Sequence, residues 1–248
     1  MTEKPGTVLI TGGTSDIGRA TALVYADHGW KVILTARDNA AGQREVDHLI
    51  TASRADVEFR RLDILETDSF EAFVNSLDEE PDTVVCVVGM LPDQPRAADD
   101  IAYASLSLRT NFEGPALLLG MLADRFEKRG RGTIVGVSSV AGNRGRASNY
   151  VYGSAKSGLT AFLSGLRARL WRSGVRVVTV TPGFVRTRMT DGMKLAPFLT
   201  AEPEEVAAAI YKAAETRHRD IVYVRRSWRL VMGVIGAMPE SVFKRIKF

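Results

Sequence analysis

Cysteine is almost absent. Cys86 is the only one in 248 residues, which excludes an intramolecular disulfide, and its place inside the apolar run TVVCVV predicts a small packed hydrophobe. A reducing, cytoplasmic setting suits such a chain. Long hydrophobic runs are missing as well. None approaches the ~20 apolar residues of a membrane-spanning helix, and the start, MTEKPGTVLI, lacks the apolar core of a signal peptide. The expectation is a soluble protein, or one held at most to a membrane surface. No repeat, low-complexity tract or Pro/Gly-rich linker breaks the chain, so residues 1–248 are read as one domain.

Evenly spread positive charge is also lacking. The sequence pI is 9.3, yet the excess sits in the tail. From Arg217 onward eight Lys and Arg face two Asp and Glu, whereas the preceding residues carry 25 basic against 27 acidic groups. A near-neutral body without a basic stripe interleaved with aromatics excludes nucleic acid as the expected partner.

What is present is an ordinary globular composition, 45% hydrophobic and 25% charged, enough to bury a large core. Short β-branched runs open at Thr7, Lys31, Val57, Thr83, Gly132, Val175 and Ile221. Helical stretches begin near Ile17, Ala41, Asp68, Ile101, Tyr152 and Pro203. This alternation predicts an α/β protein with a parallel sheet of about seven strands and helices on both faces.

TGGTSDIG, Thr11 to Gly18, follows the first strand and opens the first helix. Its glycines, Gly12 and Gly18, would let backbone amides approach a diphosphate, with Thr14, Ser15, Asp16 and Ile17 around the helix N-terminus. The same pattern also serves a plain strand-to-helix turn. Asp16 stands where glycine is usual; its carboxylate would be repelled by a diphosphate and is expected to turn away and cap the helix. At the end of the second strand Ala36 replaces the acid that would bind an adenosine ribose, and Arg37 follows. An arginine there can pair a 2′-phosphate, which favours NADPH over NADH. Arg19 either assists or is a solvated helix residue. Asp63 is suited either to the adenine amino group or to a helix cap.

Ser139 closes the fifth strand, and Tyr152 follows thirteen residues later with Lys156 four beyond it. On a helix Tyr152 and Lys156 share a face, so the ammonium is expected to lower the phenol's pKa from ~10 toward working pH. Ser138 does not keep that spacing, and the residue four beyond Tyr150 is Ser154.

In this order the motifs resemble the short-chain dehydrogenase/reductase family across essentially the whole chain. The resemblance implies a Rossmann-type doubly wound sheet, an NADPH/NADP cofactor, no catalytic metal, and a homodimer or homotetramer. It implies Tyr152 as general acid/base, Ser139 orienting the substrate carbonyl, Lys156 binding the nicotinamide ribose, and Asn111 holding a water in the proton relay. Pro182, Gly183, Val185 and Thr187, in TPGFVRT, would lie beside the nicotinamide, and Gly89 beside the cofactor. One departure is Cys86-Val87-Val88-Gly89 where the family has Asn-Asn-Ala-Gly, which puts the local architecture after the fourth strand in question.

That departure, Asp16, and the ending WRLVMGVIGAMPESVFKRIKF are similar to reductases of decaprenylphosphoryl-2-keto-erythro-pentose. The expected reaction is reduction of a ketone, a keto-sugar on a polyprenyl phosphate. The alternatives are a general ketone or 3-oxoacyl reductase for soluble substrates and a cofactor-sensing protein, the last disfavoured by an intact proton donor. In the basic, apolar segment 218–248, Leu230 to Met238 are uncharged and precede Lys244, Arg245 and Lys247. It either folds over the substrate pocket or a subunit contact, the favoured reading, or lies on an anionic membrane at the inner face. Arg144, Arg146, Arg186 and Arg188 are candidates for a substrate phosphate.

Overall fold

The structure, a computed structural model, describes residues 5–53, 55–216 and 219–246; Arg217 and Lys247, counted above in the basic tail, lie outside them. Seven strands form one parallel sheet: β1 (Thr7–Thr11), β2 (Lys31–Ala36), β3 (Val57–Arg61), β4 (Thr83–Cys86), β5 (Gly132–Val137), β6 (Val175–Thr181) and, last in the chain, β9 (Ile221–Tyr223). Their spatial order is β3-β2-β1-β4-β5-β6-β9. All seven starting points read from the sequence are reproduced. The two-residue strands β7 (Phe184–Val185) and β8 (Thr200–Ala201), too short to leave a sequence signal, pair separately.

Why continuous apolar runs become strands here is visible in the alternation of their side chains. Val8 and Ile10, Val32 and Leu34, Val135 and Val137 enter one core, while Leu9, Ile33 and Ile134 enter another on the opposite face. Both faces are covered, so neither parity can be polar. On the first face lie helices α1 (Asp16–Asp27), α2 (Asn39–Ser53) and α8 (Pro203–Tyr211). On the second lie α3 (Phe70–Asn75), α6 (Gly114–Arg129) and α7 (Tyr150–Leu170). Leu118, Leu119, Leu122, Leu159 and Leu163 are fully buried there, each worth about 1.5–3 kcal/mol of burial. α4 (Gln94–Asp99) and α5 (Ile101–Leu108) begin at Asp93 and Asp100, whose carboxylates accept from Arg96 N and Tyr103 N. They lean on α7 at the carboxyl end of the sheet.

The unusual Cys86–Gly89 segment leaves the sheet intact. β4 stays in register with β1 and β5, Thr11 opposite Cys86 and Cys86 opposite Gly136. Cys86 is buried, and burial pushes its thiol pKa up, as expected of a packed hydrophobe.

The tail forms α9 (Ser227–Ala237) and α10 (Glu240–Phe243). Trp228, Met232, Ile235 and Phe243 make a third core with Val140, against which Phe184 and Leu199 pack. The segment is therefore folded onto the loops that follow β5 and β6. Among the described residues no helix is long and apolar enough to cross a membrane.

Candidate active site

The order of the strands reverses between β1 and β4, and at that point the loops leaving the carboxyl ends of neighbouring strands diverge and open a crevice. Two cavities occupy it. One, of about 550 Å³, is lined by Gly12, Thr14, Ser15, Arg37 and Asp63; the other, of about 140 Å³, by Ser139, Tyr152, Lys156, Pro182, Gly183 and Thr187. Val87, Val88 and Gly89 line both. An open depression of about 790 Å³ adjoins the crevice at Asp16, Thr187 and Arg188, and another of about 940 Å³ lies beside Trp171; neither is lined by Ser139, Tyr152 or Lys156.

At the first turn Ser15 is the N-cap of α1, its Oγ accepting from Gly18 N at 3.0 Å. The cap expected of Asp16 is thus made by its neighbour. Asp16 lies one residue inside the helix, and its carboxylate accepts instead from Arg188 N and Nε, each at 2.8 Å. Arg188 Nη2 also donates to Thr14 O at 2.6 Å, joining the turn after β1 to the loop after β6. No local pattern announces a contact across 172 residues. Gly12 has φ +80°, and a Cβ on it would lie 3.1 Å from Val88 N, so the turn can pass β4 only as glycine.

Arg37 is exposed at the rim of the larger cavity. Arg19 is ion-paired with Glu45 at 2.5 Å on the surface of α1. Asp63 lines the cavity, and its Oδ1 accepts from Leu65 N at 3.0 Å in a local turn; the next helical turn starts at Thr67 with Glu66 as its N-cap, so the helix-cap reading of Asp63 is not met.

In the smaller cavity Ser139 caps a short 3-10 turn, Oγ accepting from Ala141 N at 3.1 Å, and hydrogen-bonds Tyr152. Its rival Ser138 donates to Lys156 O at 2.9 Å and meets Thr160 Oγ1 at 2.6 Å, engaged with α7. Tyr150 opens α7 and is exposed; the helix starts there, two residues earlier than Tyr152. Lys156 is buried, and its Nζ donates to Val137 O at 3.1 Å and lies 5.9 Å from the Tyr152 ring centroid. Asn111 sits in a π-helical turn, Arg109–Glu113, with no exposure. Its Nδ2 donates to Met90 O and Ser107 O, and its Oδ1 accepts from Met90 N. A Cβ on Gly89 would stand 2.9 Å from Asn111 Oδ1 and 3.3 Å from Lys156 Nζ; the glycine lets these two groups converge.

The electrostatics differ from the sequence expectation. Burial pushes the Tyr152 phenol up to about 12, with only the Ser139 hydrogen bond pulling it down. Burial also pulls Lys156 down to about 8. Burial, which disfavours charge on both groups, is the largest influence on each, so the phenol is raised and not lowered.

All four arginines considered for phosphate contact the protein itself, three of them through carboxylates. Arg144 donates to Ile235 O and Met238 O, ion-pairs Glu240 and stacks over Phe243. Arg186 pairs with Glu202, and Arg188 with Asp16. Their geometry favours local partners over a ligand. Arg146 alone of the four lines the smaller cavity.

The model of the family described as short chain dehydrogenase matches residues 6–196. The chain belongs to the short-chain dehydrogenase/reductase family. This short-chain dehydrogenase/reductase is 38% identical over 242 residues to an uncharacterised oxidoreductase of Mycobacterium tuberculosis, covering 96% of each. It is 35% identical over 246 residues to an uncharacterised oxidoreductase of Streptomyces coelicolor, covering 98% of this chain and 96% of that one. A solved short-chain dehydrogenase/reductase family protein superposes with a TM-score of 0.80 at 30% identity, covering 90% of this chain and 97% of that one. The protein is an oxidoreductase of a family that binds NAD(P). The crevice fits such a dinucleotide: a glycine turn whose Cβ position is closed by Val88, a long groove, and an adjoining cavity that holds a phenol.

Proposed function

We propose that the protein is an NADPH-dependent carbonyl reductase whose substrate is a keto-sugar carried on a polyprenyl phosphate. The observation that carries the reductase reading is the Tyr152 phenol, hydrogen-bonded to Ser139 in the smaller cavity and held protonated by burial. A protonated acid beside a hydroxyl is what a ketone oxygen needs as it gains negative charge.

Gly12, Thr14, Ser15, Ile17 and Gly18 would hold the diphosphate end, Arg37 the 2′-phosphate, Asp63 the adenine, and Gly89, Pro182, Gly183, Val185 and Thr187 the nicotinamide end. Asp16 would contribute backbone only, since its carboxylate is turned onto Arg188. When bound, the reduced nicotinamide supplies a hydride to the carbonyl carbon. Ser139 donates to the carbonyl oxygen and fixes its direction, and Tyr152 gives it a proton. The phenolate so formed is reprotonated along Lys156 and Asn111, Lys156 also holding the nicotinamide ribose. A panel of ketones with NADPH, followed by cofactor absorbance, tests the reading; absence of turnover with every ketone would overturn it.

The cofactor preference rests on Arg37 at the groove and Ala36 behind it. Arg37→Asp should remove the partner of the 2′-phosphate and offer an acceptor to a free ribose. NADPH affinity is expected to fall roughly ten- to a hundredfold while NADH improves. Equal binding of the two cofactors by the unaltered enzyme would show that Arg37 has no such role.

The polyprenyl reading is supported by the likeness at Asp16, Cys86–Gly89 and the tail, and by the outer face of α9. Leu230 and Val234, one helical turn apart, are 73% and 60% exposed, with Arg226, Arg229, Lys244 and Arg245 nearby in the chain. Such a face suits the surface of an anionic bilayer at the cytoplasmic side. Deleting the last ten residues would test this poorly, because Phe243 is buried beneath Arg144. Leu230→Gln with Val234→Gln spares the core. It should weaken binding to phosphatidylglycerol vesicles at low salt and slow reduction of a prenyl-linked ketone, with a short soluble ketone still reduced. Vesicle binding equal to that of the parent protein would remove the membrane role. A homodimer or homotetramer is proposed on the exposed Ile101, Leu106, Leu108 and Leu117 of α5 and α6.

A further inference from the structure

The loop between Ser139 and Tyr152 carries two arginines two residues apart, and the fold uses them differently. Arg144 reaches outward to the carbonyls that end α9. Arg146 turns the other way, half-buried in the wall of the cavity that holds Ser139 and Tyr152. Asn149 N donates to Arg146 O at 3.1 Å, so a tight turn keeps the two residues together at the mouth of α7. Met232 of the tail helix lies against the guanidinium, Sδ 3.6 Å from Nη2.

Two features of this wall point to a ligand. The described residues lining the cavity include the cations Arg146 and Lys156 and no Asp or Glu, so the cavity favours a negative group. Asn149 lines the same cavity, and its Oδ1 is buried with no hydrogen-bond partner. A buried amide oxygen in that state costs about 1–3 kcal/mol unless something donates to it. Burial also pulls the Arg146 pKa down, the mark of a guanidinium largely removed from water.

We infer that Arg146 and Asn149 read the substrate: Arg146 pairs an anionic oxygen group, a phosphate ester close to the carbonyl, and Asn149 Oδ1 accepts from a neighbouring substrate hydroxyl. The enzyme then selects phosphorylated keto-sugars over neutral ketones of equal size. Arg146 is a specificity-determining residue that binds the substrate away from the reacting carbon. The inference rests on the carbonyl-reductase reading of this cavity. It names the recognised chemistry, a phosphate on a hydroxyketone, whether that phosphate is free or carries a lipid.

The test uses the NADPH-loaded enzyme with dihydroxyacetone phosphate, its prenyl phosphodiester, and unphosphorylated dihydroxyacetone. The unaltered enzyme should prefer the phosphorylated ketone at least about tenfold in kcat/KM. Arg146→Gln should erase roughly ten- to a hundredfold of kcat/KM on both phosphorylated probes, mainly through KM. It should change the neutral ketone by no more than about twofold. Arg146→Lys should recover only part, since ammonium lacks the planar two-pronged donor geometry. Asn149→Ala should raise KM for the hydroxylated probes but not for acetone. A better kcat/KM for the prenyl diester than for the free phosphate identifies a lipid headgroup as the source, and the reverse a soluble phosphate; both support the pairing.

An equal loss on charged and neutral ketones, or an unaltered enzyme without preference for phosphate, overturns it. A readout free of turnover separates this from failure of the reductase reading. Inorganic phosphate should raise the melting temperature of the NADP-loaded parent more than that of Arg146→Gln, and equal shifts overturn the site whether or not any ketone is reduced.

Discussion

Tyr152→Phe should retain NADPH binding within a few-fold and lose most turnover, about 10²- to 10⁴-fold, the range general acid catalysis supplies. The change removes one oxygen and leaves a ring of nearly the same shape in the cavity, so folding should be preserved. Its consequence for chemistry is complete, because Ser139 is held by its own turn at Ala141 N and Lys156 by Val137 O. Neither is placed to hand a proton to the substrate in the tyrosine's stead. The pH profile carries the second half of the expectation. With the phenol pushed up to about 12 and the lysine pulled down to about 8, the acid stays protonated through neutral pH. Reduction should therefore hold its rate as pH rises to the region of 8, then fall as Lys156 loses its charge. Cofactor titration and the reduction rate measured side by side check both parts. Near-normal turnover by Tyr152→Phe would dismiss the tyrosine as the proton donor.

Trp228→Ala should cost about 3–5 kcal/mol of stability, the range for deleting a large buried aromatic. The indole is almost fully buried, stands edge-on to Phe184 at 5.5 Å between centroids, and donates Nε1–H to Leu199 O at 2.9 Å. Its truncation opens a cavity and leaves that carbonyl without its donor. Activity should fall with it. A Cβ on Gly183 would stand 1.9 Å from the indole, so the tryptophan is the backing against which the Gly183–Phe184 wall of the active cavity is pressed. Urea unfolding and the KM for a soluble ketone measure the two effects. A loss below about 1 kcal/mol would mean that the tail is laid on the protein without supporting it.

The two experiments together separate what Tyr152 does in the reaction from what the tail does for the cavity. Arg144 extends that division. It ties the loop before α7 to the end of α9 through Ile235 O and Met238 O. The loop that carries Arg146 and Asn149 is thereby anchored to a segment that lies beyond the 6–196 span of the family model. On the proposed role of Arg146 and Asn149, the tail beyond residue 196 would help hold the substrate-reading loop in place.

How much could be read in advance depended on the range of the interaction. Strand and helix positions follow from nearest-neighbour preference and from which side of the chain is apolar, so the seven strands of the main sheet begin where their β-branched runs do. The turn at Gly12 and the Tyr152–Lys156 pair were legible for the same reason, each resting on a spacing of a few residues along one element. The tail was legible in composition only: basic and apolar residues do not say which face packs inward, and the fold buries Trp228 and Phe243 while leaving Leu230 and Val234 exposed. Asp16 shows the limit most clearly. Local rules allowed it a helix cap, but Ser15 takes the cap and Arg188, brought close by the sheet, takes the carboxylate. The phenol's pKa went the same way. An ammonium four residues off lowers it in an isolated helix, whereas in the folded protein desolvation by surrounding elements outweighs that single charge. The sequence alone pointed to the main strands and helices and the chemical groups, because these depend on residues close in the chain, and to the parallel sheet through the regular alternation of strand and helix runs. Only the tertiary structure decided which groups face one cavity, which arginines are spent on carboxylates, and what burial does to the acid, because these are set by neighbours distant in the chain.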